Sequence, residues 1–241
     1  MSDTRHKDGA NLTRRRVLAL AGTAGAWALI HPWRRATAQP TPACTLTPAQ
    51  MEGPYFRDVK RERSDLRTDP SGAPAVEGAA LALTLRALDA SDGCRPLAGA
   101  VVELWQCDAF GRYSDVRDVH AGFDTRGQTF LRGYQVTDDD GAVRFLTIYP
   151  GWYPGRTVHI HFKIRTDPDS AFGQEFTSQL YFDDALTDRV HAQAPYAQRG
   201  RRTVRNDRDG LFRDGGERLV LRLGETAGML AGTFEVGLVG A

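Results

Sequence analysis

From Val76 onward, apolar and polar positions alternate with a period of two. Leu81, Leu83 and Leu85 are separated by smaller or polar residues, the pattern of a half-buried strand. Residues 101–106 form a second strand. Residues 134–137 and 143–146 flank Asp138-Asp139-Asp140-Gly141, and two β runs joined by an Asp-Gly turn predict a hairpin. Further strands are expected over residues 158–164, 178–182, 219–223 and 234–238. Many short strands separated by Gly, Asp and Pro turns predict an all-β fold, a single β-sandwich of mixed strands spanning 76–241. The polar stretch 183–214 has few apolar residues and reads as loop with one helical turn. Residues 39–75 lack periodicity and contain Pro40, Pro42, Pro48 and Pro54, which predicts an extended arm wrapped over the sandwich.

The first 38 residues follow a different pattern. Thr13-Arg14-Arg15-Arg16-Val17-Leu18 opens a mildly apolar run that reaches Ile30, and Ala36-Thr37-Ala38 fits a small-x-small cleavage site. A basic region, a short apolar region and a small-residue site predict a signal peptide over 1–38. The paired arginines directly before the apolar run favour the twin-arginine route. The run is too short and too rich in Ala and Gly to remain as a membrane span. A disordered basic tail beside a buried helix would explain neither the arginines nor the cleavage site. The expected product is a periplasmic or secreted protein with no stable membrane anchor. Export by this route moves folded chains, often ones already carrying a cofactor.

The formal net charge is +1, and no block of like charge persists, so nothing points to nucleic acid. Of the three cysteines, Cys44 and Cys94 lie in loop-like sequence and Cys107 in an apolar strand. An oxidising compartment favours a Cys44–Cys94 disulfide with Cys107 as a buried free thiol. Cys44 lacks the apolar-small lead-in of a lipoprotein cysteine.

The segment Thr157-Val158-His159-Ile160-His161-Phe162-Lys163-Ile164 carries the most chemistry. On a strand, Val158, Ile160, Phe162 and Ile164 point into a core, while His159 and His161 share the opposite face. Two imidazoles so placed can converge on one Zn, Cu or Fe ion; the plainer alternative is two solvated surface histidines. Pro150-Gly151-Trp152-Tyr153-Pro154-Gly155-Arg156 precedes the strand as a turn that returns Tyr153 and Arg156 to its mouth. Trp105 ends an earlier strand, and Gly111-Arg112-Tyr113 follows.

In combination these segments resemble the intradiol ring-cleavage dioxygenases. Trp105, Gly111, Tyr113, Pro150, Gly151, Tyr153, Arg156, His159 and His161 occur in that family's order. Ser178-Gln179-Leu180-Tyr181-Phe182 and Glu52-Gly53-Pro54-Tyr55-Phe56 match its flanking segments. The likeness spans residues 53–183. It implies an Fe(3+) site held by Tyr113, Tyr153, His159 and His161, and a catechol cleaved with O2 to a muconate-type diacid. Phenolate, a hard anionic donor, suits the ferric state. By the same analogy Tyr153 is the ligand that leaves as substrate binds, Arg156 stabilises anionic charge on the ring, and Tyr55 and Gln179 line the pocket.

Each residue has a plainer reading. Tyr113, Tyr153 and Tyr55 could be packing aromatics, Arg156 a loop cap and Gln179 a strand residue. Tyr149 competes for the second tyrosine role. His120 reads as solvated, and His191 has no partner pattern. The chain departs from the family in two ways. Only residues 154–158 separate Tyr153 from the histidine pair, and a short arm replaces the helical amino-terminal domain of the catechol-type branch. Both predict a compact, open pocket, and export points to an extracellular catechol from lignin or another plant phenolic. Two competitors remain: a transthyretin-like or carbohydrate-binding sandwich without chemistry, and a copper or zinc site of another activity, which phenolate ligands disfavour. The pattern leaves room for a homo-oligomer without specifying one.

Overall fold

The computed structural model describes residues 44–69, 72–167 and 173–239; the signal peptide expected over 1–38 lies outside them. Two sheets face each other across one core. In the first, β1 (Ala80–Asp89) is central. It pairs in parallel with β11 (Met229–Leu238), which pairs on its far side with β10 (Gly224–Thr226). The other side of β1 takes β7 (Ala142–Ile148) antiparallel along most of its length and the two-residue β2 (Arg95–Pro96) at its end. The second sheet runs β6–β3–β8–β9: Arg132–Val136, Val101–Trp105, His159–Arg165 and Glu175–Tyr181. A small hairpin, β4 (Arg117–Asp118) with β5 (Phe123–Asp124), lies beside it.

The alternation does what it promised. Leu81, Leu83 and Leu85 from β1 meet Val102, Leu104, Ile160, Phe162 and Ile164 from the second sheet, all at most 1% exposed. Burying each such side chain contributes roughly 1.5–3 kcal/mol. Strand β8 is buried on both faces, because residues 47–56 of the arm cover the face opposite the core. Ser178 donates to Pro48 O, Gln179 to Met51 O, and Lys163 Nζ sits 2.5 Å from Glu52 and 4.3 Å from the Phe56 ring centre. Farther along, the arm bridges to β6 at Tyr134 and to β7 at Leu146. Cys44 is bonded to Cys94, which pins the start of the described arm to the turn before β2. Cys107 is a buried free thiol.

Three expectations need correction. Strands β6 and β7 flank the Asp138–Gly141 turn but do not pair with each other: β6 joins β3 and β7 joins β1. The turn closes locally, with Gly141 N donating to Asp138 O, yet it carries the chain from one sheet to the other. A turn sets reversal, not partner choice. Residues 219–223 form no strand; Gly216–Leu219 is a 3₁₀ turn, and Val220 makes a single bridge to Tyr181. The stretch 183–214 is more helical than expected. It holds α1 (Asp184–His191), α2 (Gly210–Arg213) and 3₁₀ turns at Tyr196–Arg199 and Asn206–Arg208. Helix α1 turns Thr187 and His191 inward beside Leu186 and Val190, a mixed stripe that leaves only a weak apolar period.

Candidate active site

Strand register builds the first half of the site. Across β3, β8 and β9, Trp105, His161 and Gln179 lie directly opposite one another, and His159 lies opposite Tyr181. Directly opposed residues project to the same face. That row explains why the Trp105 ring stacks on His161 at 4.9 Å and 6°. Gly53 of the arm, at a φ of +77°, passes close enough that a Cβ there would lie 3.5 Å from His161 Cε1.

Two loops supply the other half. Asp108 Oδ1 accepts from the N–H groups of Phe110 and Arg112, an Asx-type turn that turns Tyr113 back inward. Gly111, at a φ of +78°, is required there, since a Cβ would collide with Trp152 O. The same Asp108 carbonyl accepts from Gly111 N at 3.0 Å and Gly151 N at 3.1 Å, so one atom ties the Tyr113 loop to the Tyr153 loop. Gly151 permits this approach, because a Cβ on it would sit 2.5 Å from both Asp108 O and Ala109 O.

Together these elements bring Tyr113, Tyr153, His159 and His161 to one point. Tyr153 Oη lies 3.0 Å from His159 Nε2, which lies 3.1 Å from His161 Nε2. His159 Nδ1 is 2.6 Å from Thr157 O and must carry the proton, which leaves the Nε2 lone pair facing inward. Two ring nitrogens 3.1 Å apart can share at most one proton. Tyr113 Oη is buried and makes no bond of hydrogen-bonding geometry, although Tyr153 lies close enough to influence its ionisation. Burial, helped by Arg156, pulls His159 down to about 3. Burial, then His159, holds His161 well below the ordinary imidazole range. Burial raises both phenols. Neutral imidazoles and an unpartnered phenol packed around one point are what a cation would satisfy. Among the described residues no three His, Cys, Asp or Glu side chains form a metal set, so a cation at this point would need the tyrosines as donors.

Arg156 borders the cluster, its Nη1 3.5 Å from His159 Nε2. It donates to Asp209 Oδ2 at 2.8 Å and Gln179 Oε1 at 2.7 Å, and reaches Tyr181 Oη at 3.3 Å. Burial works against its charge, but Tyr153, Asp209 and Tyr181 outweigh that and raise its pKa. Asp209, 1% exposed, also accepts from Thr157 N and caps α2 through Leu211 N and Phe212 N.

Tyr55 stacks on Tyr113 at 4.6 Å and meets Tyr153 edge-on at 5.9 Å; its hydroxyl donates to Asp118 at 2.7 Å. Every residue expected at the site is therefore in or beside it. Tyr149 is not: it bonds Thr187 and packs on Phe182. His120 is exposed, whereas His191 is buried against Tyr196 with Nε2 2.9 Å from Pro150 O. The pocket is compact but not open, because Tyr113, His159 and His161 are at most 2% exposed beneath Tyr55 and the arm. Surface hollows beside Phe234, along residues 60–68 and beside Arg202 open elsewhere. Asp209, Tyr181, Asp108 and Asp118 were assigned no role from the sequence. Only Asp108, placed before a Gly turn, carried a usable signal.

Comparison with known proteins agrees with this geometry. A family model described as Dioxygenase matches residues 51–210. The protocatechuate 3,4-dioxygenase beta chain of Burkholderia cepacia is 38% identical over 136 residues, 52% of this chain and 54% of that protein. The chain thus spans about half the length of the curated relatives it matches. An intradiol ring-cleavage dioxygenase from Tetranychus urticae superposes with a TM-score of 0.70 at 32% identity, over 81% of this chain and 95% of that one. The dioxygenase domain of a carbohydrate-binding fusion from Streptomyces sp. SirexAA-E gives 0.57 at 30% identity, over 82% and 100%.

Proposed function

We propose, since this chain belongs to the intradiol ring-cleavage dioxygenase family, that it is an Fe(III)-dependent enzyme opening catechol-type diols between their hydroxylated carbons. Both atoms of O2 enter the product, a muconate-type diacid. The observation that carries this reading is the convergence of two phenols and two neutral imidazoles at one buried point. Tyr113, Tyr153, His159 and His161 would hold a ferric ion there, and it would supply the Lewis acidity that makes a bound diol ring susceptible to O2.

The remaining work falls to side chains. Tyr113, fully buried on the Asp108 turn, is the permanent ligand. Tyr153 stands on a half-exposed loop and is the ligand free to swing away, its Oη taking a proton from a substrate hydroxyl as it goes. Arg156 keeps a preorganised positive charge beside the ring, where anionic character builds. Gln179 holds the Arg156 fork in place, and Tyr55 walls the substrate side.

The visible absorption spectrum of the iron-loaded protein, with and without catechol, tests this. A broad tyrosinate-to-iron band that moves to longer wavelength with catechol is expected. His161→Ala should lose iron and colour, and Tyr153→Phe should lose turnover, both with the circular dichroism of the native fold. Full iron content and turnover in His161→Ala would overturn the assignment. Export by the twin-arginine route belongs to the same proposal, supported by the leader pattern and by a disulfide suited to an oxidising compartment. Cell fractionation decides it: uncleaved protein confined to the cytoplasm rules export out.

A further inference from the structure

Among the aromatic side chains packed around the cluster, Trp105 and Tyr113 are buried, whereas Tyr55, Phe56, Phe123 and Tyr153 are only partly so and form its solvent side. Tyr55 is stacked on one metal-binding phenol and edge-on to the other. A ring substituent on a bound catechol that points toward solvent therefore meets Tyr55.

A phenol has one O–H to donate. Tyr55 directs it at Asp118 Oδ2, 2.7 Å away and 63 residues along the chain. Asp118 cannot turn aside, because its Oδ1 accepts from His120 N at 2.9 Å and Ala121 N at 2.8 Å within the β4–β5 turn. Toward the substrate Tyr55 thus offers only oxygen lone pairs, backed by a fixed negative charge. Among the described residues, the exposed His120 of the same turn is the basic group that acts on that charge. Arg117 acts on Asp124 across the hairpin, and the cations around the cluster are engaged elsewhere. Arg156 is engaged by Asp209 and Gln179, and Lys163 lies between Glu52 and Glu175. Arg132 is buried against Ser114 beyond the Tyr113 ring, and Arg57 donates to the carbonyls of Pro54 and Phe56.

We propose that the Tyr55–Asp118 pair makes this site select catechols with uncharged ring substituents over catechols that carry a carboxylate. A carboxylate beside Tyr55 would find no proton to accept and a like charge close behind. The inference rests on the dioxygenase reading above and adds its substrate class.

Two diols of similar size test it on the iron-loaded full chain: 4-methylcatechol and 3,4-dihydroxybenzoate. Their Kd values come from titrating the visible band without oxygen, and kcat/KM from turnover with it. Methyl and carboxylate also differ in electron demand, so the Kd ratio decides. Binding should favour 4-methylcatechol by about tenfold or more. Added salt should narrow the gap, because a partly exposed charge is screened. Asp118→Asn keeps an acceptor for Tyr55 but loses the charge, and should narrow it about as far. Equal or tighter binding of the acid, or a gap that ignores salt, overturns the inference even if the variant does not fold. Binding of neither diol overturns the dioxygenase reading, and this inference with it.

Discussion

Arg156 is useful because it is not free. Its Nε and Nη2 are committed to Asp209 and Gln179, so its charge waits at one place beside His159. Asp209 in turn serves three elements: the guanidinium, the Thr157 N–H that leads into β8, and the first turn of α2. Removing a buried, multiply bonded carboxylate leaves Arg156 uncompensated. Asp209→Ala should therefore cost about 3–5 kcal/mol in urea unfolding, and Asp209→Asn distinctly less. A loss below about 0.5 kcal/mol, the size of an ordinary surface change, would show that Asp209 is not holding this corner. The two histidines and two tyrosines of the cluster were legible because each lies in a local pattern: His-x-His on a strand, or tyrosine after a glycine turn. Asp209 was not, since its partner Arg156 is 53 residues away and its own neighbourhood reads as polar loop. Asp118 was hidden for the same reason.

Among the elements, the two tyrosine loops are the least tolerant part of the site. They touch through the Asp108 carbonyl and through the missing side chain of Gly151. Gly151→Ala should force Tyr113 and Tyr153 apart, lowering stability by about 1–3 kcal/mol and weakening iron uptake. Thermal unfolding and iron titration of that variant measure both. Native iron affinity would mean the loops are positioned by something other than their contact. Strand periodicity found most of the sandwich because Leu81, Leu83 and Leu85 or Ile160 and Phe162 write a period of two into the chain. It failed in α1, where half of the inward positions are the polar Thr187 and His191. It failed again at the Asp138–Gly141 turn, where β6 and β7 choose partners by which sheet needs an edge, information no local window contains.

At the scale of the whole molecule, acid should unfold the metal-free protein in two stages. Burial keeps His159, His161 and His191 below the usual imidazole range, so the unfolded chain takes up their protons first and stability begins to fall below about pH 6.5. Several carboxylates have lowered pKa values. Asp65 owes this to Arg67 and Glu175 to Lys163; at Asp209, burial is outweighed by the Thr157 N–H and Arg156. Such groups stabilise the fold above the unfolded pKa near 4, and the benefit is lost as pH drops through their lower folded values. Glu103, raised by burial, acts in the opposite direction. The melting temperature should decline from about pH 6.5 as the histidines charge and fall further below about 4 as the carboxylates protonate; a flat profile down to pH 3 would refute this accounting. The arm has a further consequence, one of kinetics. It runs across the histidine face of β8 from Pro48 to Phe56 and is anchored to Gln179, Ser178 and Lys163. An ion lodged beneath that strap escapes to a chelator no faster than the strap lifts. For the proposed iron, the rate of loss to a chelator, saturating at high chelator, would be a clock for local opening of the arm.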